Sequence, residues 1–133
     1  MSISTARRSY AVHSVETASP GARLLLILDQ LEASFTRAEQ GYDKEDLWEI
    51  HCGLKNSQTI IALLRDSLQL DTWEGAMDVR TLYEFAISAL VRSNIYKDRA
   101  LFNDATEVMQ PLMNAWRQAV HVVETGEYRE PQP

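Results

Sequence analysis

The chain has 133 residues, of which 45% are hydrophobic and 24% charged; this fits one globular domain and excludes disorder throughout. Its net charge of −6 and pI near 5.0 exclude non-specific binding to nucleic acid or to an anionic membrane, which both need a basic surface. A single cysteine, Cys52, leaves no internal disulfide and suits a reducing cytoplasm, and no stretch reaches the ~18 apolar residues of a membrane span.

Residues 1–18 carry no strong periodicity and are expected to form an N-terminal arm or a short extra helix. Ser19-Pro20 reads as a helix start: the serine hydroxyl caps free backbone N–H groups, and proline fits the first helical position, where no N–H is needed. The block Leu24-Leu25-Leu26-Ile27-Leu28 follows. It makes a poor signal peptide, because Asp29 and Glu32 cut it short and Arg7 and Arg8 stand too far upstream. The first helix is expected over Pro20 to Gln40, with Leu24, Leu28, Leu31, Phe35 and Ala38 inward and Gly41 as its stop. The second is expected over Lys44 to Gln69, with Asp43 as its cap and a stripe of Leu47, Ile50, Leu54, Ser57, Ile61, Leu64 and Leu68. After Gly75 the third covers Met77 to Asn94, with Val79, Tyr83, Ala86 and Leu90 inward. The fourth runs from near Asp98 to near Thr125, closed by Gly126, with Leu101, Ala105, Val108, Leu112, Ala115, Ala119 and Val122 as its stripe. Four long helices with short links predict an all-α, antiparallel up-and-down four-helix bundle over 19–126. Residues 127–133 are expected to be a frayed tail.

The helices hold more apolar residues than such a bundle must bury. Five successive aliphatic positions point all round the first helix. The third carries Phe85, Ile87, Val91 and Ile95 outside its stripe. The fourth carries a second stripe of Phe102, Met109, Met113, Trp116, Val120 and Val123. A helix apolar on two sides is either central in the fold or offers a docking surface. Pro111 removes one donor inside the fourth helix and should kink it.

Motifs for chemistry are missing. His13, His51 and His121 follow Tyr10, Trp48 and Gln118 by three residues, so no Glu-x-x-His pair of a di-iron bundle exists. His51-Cys52 are adjacent and point apart on a helix, and no zinc-ligand spacing occurs. No phosphate loop, dinucleotide fingerprint or nucleophile elbow appears. No enzyme activity, metal or cofactor is expected.

Tyr10, Val15, Thr17-Ala18-Ser19-Pro20 and the aliphatic block resemble the opening of the FliS family, the flagellin-specific export chaperones. Lys55, Ile60, Ile61, Leu64, Ser67 and Leu68 resemble the family's second helix. Leu82-Tyr83-Glu84-Phe85, Leu90, Asn94 and Asp98 resemble its third helix and the turn after it, and Val108 and Trp116 fit its last helix. The likeness runs in order over roughly residues 10–120. Two positions depart: the family usually follows its aliphatic block with Tyr-Asp-Gly, of which only the aspartate remains in Leu28-Asp29-Gln30, and Ser93 stands where an alanine usually precedes the asparagine.

The resemblance implies a cytoplasmic helical bundle that binds the C-terminal segment of newly made flagellin. It would prevent premature polymerisation and deliver the subunit to the flagellar type III export gate, without cofactor or ATP hydrolysis. A segment that folds on binding needs a large apolar surface to offset its ordering cost. The expected flagellin-binding residues are Tyr10 and Val15 of the arm and, in a helix-in-groove mode, Leu25, Leu26, Ile87, Val91, Asn94, Ile95, Met113 and Trp116. The arm around Tyr10 and Val15 is expected to cover that surface until flagellin displaces it. A non-catalytic adaptor or dimerising bundle is the competing reading, so the free chain is expected as a monomer or a homodimer. A bundle enzyme or metal carrier is a third class.

Overall fold

The computed structural model describes residues 19–71 and 73–126. The expected arm, 1–18, and tail, 127–133, lie outside the described residues. Four helices follow in order: α1 (Pro20–Lys44), α2 (Leu47–Asp66), α3 (Ala76–Tyr96) and α4 (Arg99–Thr125). Each packs on two neighbours in a closed ring, α1 on α2 and α4, and α3 on α2 and α4. This is the all-α four-helix bundle that the periodicity predicts.

Local chemistry sets most of the boundaries. Ser19 accepts a hydrogen bond from the Ala22 amide at 3.2 Å, and Pro20 opens α1. Asp98 accepts from the Ala100 amide at 2.9 Å to start α4. Gly126, at φ 72°, closes α4 in the left-handed region where a side chain is disfavoured.

The first link differs from expectation. Gly41 does not end α1; it lies inside the helix, fully packed against α2. A Cβ there would sit 2.7 Å from the Ile50 backbone nitrogen, so this glycine serves close helix approach rather than termination. The chain turns instead at Glu45, at φ 54°. The cap of α2 is Asp46, whose carboxylate accepts from the Glu49 amide at 3.2 Å. Asp43 faces Arg99 of α4 at 2.7 Å instead. α2 also stops at Asp66, short of Gln69, and α3 continues past Asn94 to Tyr96.

The core contains Leu28, Leu31, Phe35 and Ala38 of α1, and Ile50, Leu54, Ile61 and Leu64 of α2. Val79, Tyr83, Ala86 and Leu90 of α3 complete three of its walls, as expected. On α4 the second stripe supplies most of the buried residues: Phe102, Met109, Met113 and Val120 are buried, together with Ala105 of the expected stripe. Leu101, Val108, Leu112 and Val122 are half-buried, and Ala115, Ala119 and Val123 are exposed. Burying phenylalanine and methionine removes more apolar surface from water than burying alanine. The same rotation lets Arg117 reach Asp29 and Glu32 of α1, both at 2.8 Å.

Candidate functional site

Helical geometry divides α3 into three faces. Val79, Tyr83, Ala86, Leu90 and Ser93 point into the core. Leu82 and Phe85 are exposed on the flank toward α4. Ile87, Val91, Asn94 and Ile95 share the flank toward α2, so the structure brings four of the expected contact residues onto one surface. Their partner across the seam is the start of α2, where Leu47 is exposed and Trp48 is 67% exposed. Ile95 is equally open at 67%, Val91 is 37% exposed, and Ile87 is half-buried. Exposed aromatic and branched residues in one place are unusual on a surface that meets only water.

A polar pair pins this seam. The Asn94 side-chain amide meets His51 Nδ1 at 3.0 Å, and the Lys97 ammonium donates to the Asn94 Oδ1. The Trp48 ring lies against the His51 imidazole, with centroids 5.8 Å apart and planes 31° apart. Behind the seam, Ser93 ties the end of α3 to α1: its hydroxyl hydrogen-bonds Tyr42 at 2.6 Å and donates to the Asp98 carbonyl at 2.8 Å.

Other expected contacts lie elsewhere. Met113 is 1% exposed and belongs to the core in this conformation. Trp116 is half-buried; its indole N–H donates to the Tyr83 hydroxyl at 2.7 Å, and its ring meets Trp73 edge-on at 6.2 Å. Leu25 and Leu26 are half-buried on α1, away from the α2–α3 seam. Tyr10 and Val15 lie outside the described residues. Sequence reasoning missed Trp48 and His51 as surface partners and placed Leu47 in the core stripe. The available signal was two bulky residues in the first turn of α2, where the bundle ends and little can cover them.

Charge elsewhere stabilises the scaffold. Arg37 and Glu49 join α1 to α2 at 2.6 Å; this bond holds the Glu49 carboxyl below its ordinary range. A second depression, between α1 and α2, is lined by Gln30, Ala33, Ser34, Asn56, Thr59 and Ile60. Its walls carry no charged side chain. No group of three or more metal-ligating side chains occurs among the described residues, and no described helix is long and apolar enough to cross a membrane.

The family model described as "Flagellar protein FliS" matches residues 3–123. The flagellar secretion chaperone FliS of Bacillus subtilis (strain 168) is 25% identical over 120 residues, covering 90% of each chain. With a four-helix bundle and a family match across nearly its whole length, this chain belongs to the FliS family.

Proposed function

We propose that this chain is a cytoplasmic export chaperone that binds the C-terminal segment of flagellin. It would hold that segment against premature polymerisation and deliver the subunit to the flagellar type III export gate. The observation that carries the reading is the exposed Trp48–Val91–Ile95 surface on a bundle of the FliS family. An amphipathic segment laid along the α2–α3 seam would bury these residues, and tryptophan is the side chain most often dominant in such contacts. The function is mechanical rather than catalytic: apolar burial holds the client, and release returns it unchanged.

The test is titration calorimetry with flagellin, full-length and C-terminally truncated. Binding should be lost only on truncation. Trp48→Glu with Ile95→Glu, both on the surface, should leave the helical melt unchanged and weaken binding by about 30-fold or more, the scale of a lost interface anchor. Undiminished binding of truncated flagellin would refute the reading. Undiminished binding by the double variant would move the site off this seam. The exposed patch would also suit a second copy; a chain that scatters light as a monomer and still binds the flagellin segment excludes that alternative.

A further inference from the structure

The α2–α3 seam is apolar along both rims but holds one oriented hydrogen-bond donor, and we infer that His51 selects the client's register by demanding an acceptor opposite it. This rests on the flagellin reading above. Lys97 has only protons to give, so the Asn94 atom that faces it is Oδ1. The other arm of the amide, Nδ2, therefore faces His51 Nδ1 at 3.0 Å. A donor on that side requires a lone pair on Nδ1, and the neutral imidazole then carries its proton on Nε2.

That Nε2–H meets no hydrogen-bond partner among the described residues, and it is not shut away from solvent. Asn94 holds the ring at Nδ1 while the tilted Trp48 ring lies beside it, so the donor has a fixed direction. The ring lies at the start of α2 beside Trp48 and Asn94, on the surface that also exposes Val91 and Ile95. A client helix laid there covers the N–H and takes its water away. The backbone carbonyls of such a helix are already engaged within it, so a client side chain must supply the acceptor. An amide, hydroxyl or carboxylate fits, a purely apolar side chain leaves the donor unpaired, and a lysine or arginine opposes donor to donor. The penalty for an unpaired buried donor exceeds the gain from an added methyl group. The seam thus rejects a client shifted along its own apolar stripe, which greasy contacts alone would accept. Asn94 acts as a positioning residue: it fixes which nitrogen carries the proton.

The experiment replaces each polar residue of the flagellin C-terminal segment, one at a time, by an apolar residue of similar size. Affinities are measured for the unmodified chain and for His51→Phe. One replacement should weaken binding at least about tenfold to the unmodified chain and leave binding to His51→Phe nearly unchanged. His51→Gln, which can accept from Asn94 and donate outward, should restore the position-specific loss. Nitrogen NMR of the free chain should show the Nε2–H form of His51. A segment that binds with no position coupled to His51, or an Nδ1–H imidazole, overturns the inference and leaves the flagellin reading intact. No binding of any segment removes both.

Discussion

Tyr83 is almost fully buried in α3, and its hydroxyl accepts the Trp116 indole N–H. Tyr83→Phe keeps the ring and strands that N–H, so a urea melt should show a loss of about 1–2 kcal/mol. Burial raises the Tyr83 pKa, and the Trp116 hydrogen bond offsets part of the rise. Burial likewise raises Tyr42, against the Ser93 hydrogen bond. A raised pKa in the folded state means that these two tyrosines stabilise fully below the unfolded value of about 10. That contribution is lost as pH rises through the higher folded values. Phenolate absorbance should therefore show Tyr83 and Tyr42 ionising late, with alkaline unfolding less steep in Tyr83→Phe. Gly53 is a second decisive residue: a Cβ there would lie 2.5 Å from the Ala38 amide nitrogen. Gly53→Ala must push the α1 backbone away and should cost about 1–3 kcal/mol in a thermal melt. From sequence the role of Gly53 was hidden, because close approach depends on the helix crossing. Trp116 was legible as apolar, but its contact with Tyr83 depends on how two helices are rotated.

Among the elements, α4 separates what periodicity can decide from what it cannot. Two apolar stripes on one helix satisfy the same spacing rule, so the pattern fixes the helix and leaves its rotation open. Packing chose the stripe of Phe102, Met109 and Met113, and the salt bridges of Arg99 and Arg117 to α1 agree with that choice. These ion pairs are solvent-exposed, so they orient the helix more than they stabilise it. Pro111 lies within α4 on an exposed position. Pro111→Ala restores a backbone donor there and should raise stability by about 1–3 kcal/mol, measured as a shift in the urea midpoint. An unchanged or lower midpoint would mean that proline at this position is needed for packing. On α1 the same limit appears in smaller form. Ser19-Pro20 is a local start and was legible, whereas Gly41 looked like a stop because only the neighbouring Ile50 backbone reveals why glycine stands there.

At the scale of the molecule, the four helices close a ring whose sparsest seam joins α1 to α4. The chain enters the bundle at that seam: a Cβ on Gly21 would lie 3.1 Å from Val120 and 3.3 Å from Glu124. Residues 1–18 therefore precede a point beside the end of α4. Removing residues 1–16 should lower the solubility of the free chain and raise its affinity for the flagellin segment, measured by light scattering and calorimetry. No change in either would end the idea that the arm covers the client surface. The sequence by itself determined the helical class, the number of long helices, the cap at Ser19, the helix start near Asp98 and the stop at Gly126. It also determined the family, whose signature is spread through all four helices. Those features rest on contacts within a few residues of chain or on ordered spacing. Only the tertiary structure decided which α4 stripe is buried, that Gly41 and Gly53 admit a neighbouring backbone, and that Trp48, His51, Val91, Asn94 and Ile95 share one seam. Each depends on the rotation and crossing of two helices, a relation between distant segments that the period of either one leaves free.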